Sequence, residues 1–194
     1  MSFSDFTVFD VETTGLDPRR GDRIIEIAGV RIESGIIKEE TAFTQFVNPE
    51  RTIPWEAKRV NNIQDEDVAN APTIDQVLPS FLEFAQGSIL VAQNANFDMN
   101  FLETEKELCW GYIQIPECFC TMKLSKVIFP HEFRHNLDII SHRLGLQIPE
   151  SRHRALPDVL LTAQALLKMI EMGNISSLDD LRSKSALRNA VKQS

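Results

Sequence analysis

The segment FTVFDVETTG, residues 6–15, places two carboxylates in an otherwise apolar run near the amino terminus. β-Branched and aromatic residues dominate Phe6–Val11, so the sequence predicts a buried β-strand. Side chains two apart on a strand point to the same side, which brings Asp10 and Glu12 within about 6–7 Å of each other. Two such anions repel each other unless a positive charge lies between them. The pattern therefore predicts a divalent cation near the end of this strand.

Hydrophobic periodicity along the rest of the chain predicts an α/β protein. Two further strands are predicted at 24–32 and 41–47, so three antiparallel strands open the domain. A polar connection begins at Ile53 and leads into a helical pattern. A short buried strand is predicted at 88–92 and a long helix at 155–172. This order of elements indicates a mixed sheet flanked by helices.

Composition places the chain among ordinary globular proteins. With 194 residues, 43% hydrophobic and 25% charged, one domain with a sizeable core is expected. No apolar run approaches the roughly 20 residues that a membrane span needs, and the first residues lack a signal-peptide pattern, so we expect a cytoplasmic protein. The three cysteines have no zinc-site spacing and are interpreted as reduced thiols; they are Cys109, Cys118 and Cys120.

Charge is acidic overall and uneven along the chain. The 28 acidic and 20 basic residues give a net charge of −8, which argues against nucleic-acid binding by bulk electrostatics. Two bound Mg²⁺ ions would halve that charge. Residues 121–154 carry a local excess of basic side chains and all four histidines. This stretch is either a solvated surface of mixed sign or a rim that faces phosphates.

Three further residues are candidates for chemistry. Asp98 follows the strand at 88–92, and Asp158 lies near the start of the long helix. Each has an ordinary alternative, because an acidic residue in the first turn of a helix is favoured by the helix dipole. His153, taken alone, is more often a surface or core histidine than a catalyst. The combination with Asp10 and Glu12 is what makes these residues informative.

Taken together, the motifs resemble the DEDDh subgroup of the DnaQ-like 3′–5′ exonucleases, the family that includes the proofreading (epsilon) subunits of bacterial replicative polymerases. The resemblance runs from about Phe6 to Met172, and His153 lies five residues before Asp158, as in the His-type subgroup. The matching stretches are FDVETTGLDP (9–18), IIEIAGVRI (24–32), QNANFDMNFL (93–102), HNLDIISHRLGL (135–146) and HRALPDVLLTAQAL (153–166).

This resemblance implies a ribonuclease H-like fold with a mixed five-stranded sheet, in which three antiparallel strands are followed by parallel strands. It assigns 1–174 to the exonuclease domain and 175–194 to a C-terminal helical extension, packed on the domain or frayed from it. It also implies two Mg²⁺ or Mn²⁺ ions and a histidine general base. The implied metal ligands are Asp10, Glu12, Asp98 and Asp158; the implied base is His153; backbone N–H groups of Thr13 and Thr14, with Leu16, would hold the terminal nucleotide.

The activity implied is hydrolysis at single-stranded or frayed 3′ ends, with DNA as the first expectation. An RNA-trimming enzyme of the ribonuclease T or oligoribonuclease type is the alternative, because the sugar contact is not visible in the sequence. An inactive nucleic-acid-binding scaffold is a third. A DNA polymerase subunit or a sliding clamp is a candidate partner. The segment 76–82 resembles a clamp-binding peptide, although its apolar residues also suit a core helix.

Overall fold

The computed structural model describes residues 4–109, 113–149 and 154–187. The strands are β1 (Phe6–Thr13), β2 (Ile24–Glu33), β3 (Ile36–Phe46), β4 (Ile89–Ala92) and β5 (Cys118–Cys120). The helices are α1 (Trp55–Asn61), α2 (Asp65–Val68), α3 (Ile74–Phe84), α4 (Asn96–Glu105), α5 (Thr121–Ile128), α6 (Leu137–Arg143), α7 (Ala155–Met172) and α8 (Leu178–Ser185). Short 3₁₀ turns occur at Pro18–Arg20 and Lys106–Leu108.

The five strands form one mixed sheet in the order β3-β2-β1-β4-β5. β1 pairs antiparallel with β2, and β2 pairs antiparallel with β3. β4 lies parallel to β1 on its other side, and β5 lies parallel to β4. The predicted α/β fold, with three antiparallel strands followed by parallel ones, is confirmed. β1 is the central strand, so its carboxyl end lies where ligands bind in open α/β sheets.

Helices cover both faces of this sheet, and alternation along β1 assigns its residues to one face or the other. Phe6 and Val8 pack in the core cluster that contains α7. Phe9 and Val11 pack in the opposite cluster, with α3 and α4. Asp10 continues the Phe6 and Val8 series, so it faces the layer of α7. Because side chains alternate along a strand, Asp10 points towards α7, the helix that carries Asp158.

Several elements differ from the predicted ones. β3 begins at Ile36 rather than residue 41, because a register shift between Gly29 and Arg31 lets the β2–β3 hairpin extend to its tip. Two short helices, α1 and α2, occupy the predicted polar connection. The fifth strand, Cys118–Cys120, has only three residues, too few for a period to register. All three cysteines are free and buried.

Helix α3 continues through Pro79 without ending. Pro79 lies on the exposed face, so the carbonyl group that loses its backbone partner can be hydrated. The Ser80 hydroxyl donates to the Gln76 carbonyl at 3.1 Å and satisfies a neighbouring acceptor. The apolar residues of segment 76–82 lie in the core: Val77, Leu78 and Phe81 are buried. That segment therefore does not present the side chains that a clamp-binding peptide needs.

The carboxyl-terminal helix α8 packs through buried Leu181 on the α7 side of the sheet. Just beyond it, Ala186 forms an isolated bridge with Phe119 of β5. Within the described residues, no helix combines the length and the apolar character that crossing a bilayer requires.

Candidate active site

Asp10, Glu12 and Asp158 converge at the carboxyl end of β1. Carboxylate oxygens from the three side chains all lie within 4.8 Å of one another, and each residue is partly buried. Asp10 and Glu12 share one side of β1, as the alternation predicts. Asp158 is in the first turn of α7, directly after Pro157, a residue well suited to a helix start. The structure thus brings these three predicted site residues together.

The geometry of these oxygens suits a divalent cation. Carboxylates are hard donors that favour Mg²⁺ and Mn²⁺, and Mg²⁺ binds oxygen at about 2.0–2.1 Å. Oxygens on opposite sides of such an ion are therefore about 4.2 Å apart. The three ligand oxygens lie within 4.8 Å of one another, close enough to share one such ion. The donor set fits the cation that the sequence predicts.

Asp98 approaches β1 from the opposite layer of the fold. It lies in the first turn of α4 and is fully buried, and its Oδ1 accepts a hydrogen bond from the Val11 N–H at 3.3 Å. Burial raises the pKa of Asp98 to about 7, against the lowering effect of backbone donors. Asp98 does not belong to the group of three carboxylates that lie within 4.8 Å of one another. Its hydrogen-bond partner Val11 lies between Asp10 and Glu12, so Asp98 borders the same site.

His153 lies outside the described residues, but its neighbour Arg154 is described and firmly held. The Arg154 guanidinium donates through Nε and a terminal nitrogen to the Glu26 carboxylate, at 3.1 and 2.9 Å. The Ala155 N–H donates to the same carboxylate at 3.3 Å. Glu26 raises the pKa of Arg154, with a smaller contribution from the charge of Glu12. The start of α7 is thus fixed to β2 next to the acidic cluster.

The sequence reasoning missed the pair of Glu26 and Arg154. A signal was present, because Glu26 is the lone charge in the run IIEIAGV, and a buried charge needs a partner. The buried pair is also stacked on an aromatic ring, with the guanidinium carbon 5.1 Å from the centre of the Phe46 ring.

Thr13, Thr14 and Leu16 line a cavity of about 270 Å³ next to Glu12. The Thr14 N–H donates to the Arg23 carbonyl at 2.8 Å, so the donor assigned to a nucleotide by resemblance is already engaged within the protein. The Thr14 hydroxyl accepts from the Arg23 N–H at 2.9 Å. Thr14 therefore stabilises the turn through these two hydrogen bonds, and its N–H is not available to bind a nucleotide. Leu16 is 85% exposed at the rim of this cavity, where its side chain is accessible to a ligand.

Two further residues of the cavity were not predicted as site residues. Asn61 is buried; its amide donates to the Thr13 carbonyl at 3.3 Å and its oxygen accepts from the Ile63 N–H at 3.0 Å. It joins α1 to the turn after β1. Phe97 lines this cavity and a second one of about 440 Å³ on the other side of Leu16. Phe101 lies 5.0 Å from Phe97, centroid to centroid, and is fully buried, as its core interpretation predicts.

Comparison with known proteins agrees with this geometry. The sequence model of the family described as "Exonuclease" (RNase T type) matches residues 7–166. The chain belongs to this exonuclease family. The DNA polymerase III subunit epsilon of Aquifex aeolicus is 34% identical over 166 residues, covering 86% of this chain and 80% of that protein. An epsilon-like protein of Rhodobacter capsulatus is 45% identical over 166 residues, covering 85% of this chain.

Solved structures place the fold in the same group. Exonuclease X in complex with 5′ overhanging duplex DNA superposes with a TM-score of 0.73 at 27% identity, covering 92% of this chain and 98% of that one. The nuclease domain of 3′hExo, a DEDDh member bound to rAMP, gives 0.75 at 20% identity, covering 88% and 94%, and shares the fold. The chain spans only 23% of the Rhodobacter capsulatus relative and 13% of a PolC-type polymerase from Clostridium perfringens that is 35% identical.

Proposed function

We propose that this exonuclease removes nucleoside 5′-monophosphates from the 3′ ends of DNA, in proofreading or repair, with the help of two divalent cations. One observation carries the proposal: three carboxylates from β1 and α7 meet beside a cavity that ends at an exposed leucine. A phosphodiester whose terminal nucleoside entered that cavity would have its phosphate next to the acidic cluster.

The four acidic residues have distinct roles in this proposal. Asp10, Glu12 and Asp158 hold Mg²⁺ or Mn²⁺, and Asp98 completes the set from the α4 side, as the family resemblance implies. Cations held by these residues would lower the pKa of the attacking water and would stabilise the negative charge that develops on the phosphate. The protein contributes rigid placement, because β1 is the central strand and α7 is tied to β2 through Arg154.

His153 is proposed to accept the proton from the attacking water. An imidazole with an ordinary pKa of about 6.5 is largely neutral at physiological pH and can act as a general base there. His153 directly precedes Arg154, whose side chain is fixed on Glu26, and lies five residues before Asp158. Both of these described neighbours lie at the acidic cluster, which supports the proposed role of His153.

The terminal nucleotide is proposed to bind in the 270 Å³ cavity, with Leu16 against its base and Phe97 beside it. Such apolar contacts fit any of the four bases, which suits an enzyme that removes nucleotides regardless of sequence. DNA is favoured over RNA by the names of the relatives, the epsilon subunit and the DNA-bound Exonuclease X. The polymerase names among the relatives also support a polymerase as a partner.

A substrate panel tests this function. Nucleotide release would be measured from matched single-stranded DNA, mismatched duplex DNA and single-stranded RNA, with Mg²⁺, with Mn²⁺ and with EDTA. We expect metal-dependent release of 5′-monophosphates, faster from DNA. Preferential trimming of RNA would overturn the DNA assignment and favour the RNA-trimming alternative.

Asp10→Asn provides the matched variant, and Asp75→Asn, an exposed carboxylate at the start of α3, is its control. Calorimetric titration with Mn²⁺ should show binding to the wild type and to the control, and strongly weakened binding to Asp10→Asn. Turnover should follow the same order. Equal rates for Asp10→Asn and the wild type would exclude the proposed site.

A further inference from the structure

The loop of residues 129–136, called here the Phe133 loop, connects α5 to α6 and displays one aromatic side chain. Phe133 is 100% exposed. Its neighbours His131, Glu132 and Arg134 are exposed as well, whereas His135 is buried. A lone exposed aromatic residue is not unusual by itself, so its meaning depends on how the loop is held and where it lies.

Several hydrogen bonds hold the Phe133 loop in one conformation. The His135 ring donates from Nε2 to the Glu132 carbonyl at 3.0 Å, which leaves Nδ1 to accept from the Ser125 hydroxyl at 2.8 Å. Arg143 of α6 donates to the Glu132 carboxylate at 2.9 Å and to the Arg134 carbonyl at 3.2 Å. The backbone on both sides of Phe133 is therefore fixed. Because this backbone is already ordered, only the two side-chain torsions of Phe133 would lose freedom when a ligand stacks on its ring.

The loop lies at the same edge of the sheet as the acidic cluster. The Gln93 amide, directly after β4, donates to the His135 carbonyl at 2.8 Å. In the parallel register of β1 and β4, Val8 lies beside Val91. Gln93 directly follows β4, so it lies at the carboxyl end of the strand beside β1, the same end at which Asp10 lies. The loop is thus anchored one strand away from a proposed metal ligand.

The charge around the loop suits a polyanion. Lys126 and Arg134 are exposed and form no ion pair with any residue that the structure describes. The acidic neighbour Glu132 is already paired with Arg143. Across residues 126–143 the basic side chains Lys126, Arg134 and Arg143 outnumber the acidic Glu132 and Asp138, so this stretch is locally positive on a chain with a net charge of −8. A phosphate backbone is attracted to such a surface, and an apolar protein partner would gain nothing from it.

We propose that the Phe133 loop binds the single-stranded part of the substrate upstream of its 3′ end, with Phe133 stacked on a nucleobase and Arg134 on a phosphate. Base stacking on an aromatic side chain combined with nearby cations is the general mode of sequence-tolerant single-strand binding. The inference rests on the proposed function and adds a second contact region outside the cavity at Leu16. It predicts that affinity grows with substrate length.

The test compares Phe133→Ala, Phe133→Leu and the wild type on a dinucleotide and on a 12-nucleotide single strand. Phe133→Ala should raise KM for the 12-mer about 5- to 100-fold and leave kcat and the dinucleotide KM unchanged. Phe133→Leu should behave like the alanine variant, because leucine has no ring face. Ile36→Ala, at an exposed apolar residue of the β2–β3 hairpin, is the control and should not change either KM. A 12-mer KM unaffected by Phe133→Ala would overturn the inference.

Binding is measured independently of cleavage, by fluorescence anisotropy with a 12-mer protected by phosphorothioate linkages. Arg134→Ala should weaken binding and reduce the slope of log affinity against log salt by about 0.7. Full affinity in Phe133→Leu would refute stacking and point to an apolar protein partner instead. If the wild type released no nucleotides, the proposed function would fail, and the anisotropy comparison would still decide whether this loop binds single strands.

Discussion

The buried ion pair between Glu26 and Arg154 offers the sharpest energetic test of how α7 is held. The Glu26 side chain is 2% exposed, whereas the Arg154 side chain is 38% exposed. Arg154→Met removes two charge-assisted hydrogen bonds and leaves the buried carboxylate with one backbone donor, the Ala155 N–H. Removing one partner of a buried pair destabilises a protein by about 3–5 kcal/mol. We expect Arg154→Met to fall in that range.

The reverse substitution should cost less. Glu26→Gln keeps the shape of the buried side chain, and the partly exposed Arg154 can be hydrated in its place. Loss of a hydrogen bond to a charged group is worth about 1.5–3 kcal/mol. Replacing both partners, as in Glu26→Leu with Arg154→Met, should recover part of the loss, because no uncompensated charge remains buried. The single variants Glu26→Leu and Arg154→Met, measured beside this double variant, form a cycle that reports the coupling.

Urea unfolding followed by far-UV circular dichroism measures these differences. Arg182→Met is the matched control, because Arg182 makes the same two-pronged contact with Glu117, at 2.8 and 3.1 Å. The Arg182 side chain is 39% exposed, like Arg154, but Glu117 is 40% exposed. The control should lose far less stability, since water replaces the lost partner. An equal loss in Arg154→Met and Arg182→Met would refute the argument from burial.

Three further predictions concern other parts of the chain. A hydrogen bond from the Ile53 N–H lowers the pKa of Asp65 below its usual 3.8. The ionised Asp65 side chain therefore stabilises the folded protein above pH 3.8, and this stabilisation is lost as the pH falls through the lowered pKa. Asp65→Asn should therefore lose less than about 1 kcal/mol near neutral pH, because the site is well solvated, and the difference should vanish in acid unfolding titrations. Gly15→Ala places a methyl group on the Asp22 carboxylate and should raise KM for single strands by displacing the turn that bears the cavity rim. His153→Ala should reduce kcat about 10²–10⁴-fold with unchanged thermal unfolding, and a near-normal rate at neutral pH would reject its role as the base.

Local patterns sufficed for the parts of the fold that depend on near neighbours in sequence. The side of β1 that Asp10 and Glu12 share follows from the strand period, and the position of Asp158 follows from a helix start marked by Pro157. The position of β5 was not predicted, because a segment of three residues is too short to show the alternation of a strand. β5 is recognised only by its pairing with β4. Elements of this kind are set by tertiary contacts.

The same limit applies to the backbone of Thr14. The sequence indicates a turn there, and the turn forms, but its N–H is satisfied by the carbonyl of Arg23 on the next strand. Which backbone groups remain available to a ligand depends on cross-strand pairing, and no pattern around a single residue reveals it. Glu26 is the contrary case, since its isolation among apolar residues required a buried partner from elsewhere in the chain.

Polar contacts, rather than the apolar core alone, determine how the elements of the site meet. Arg154 ties α7 to β2, Gln93 ties the Phe133 loop to the end of β4, and Asn61 ties α1 to the turn after β1. Each contact joins a segment that carries a proposed site residue to the sheet. Hydrogen bonds are directional, so they fix position more narrowly than apolar packing does. Substitutions at these three residues should therefore disturb metal or substrate affinity even where the fold remains intact.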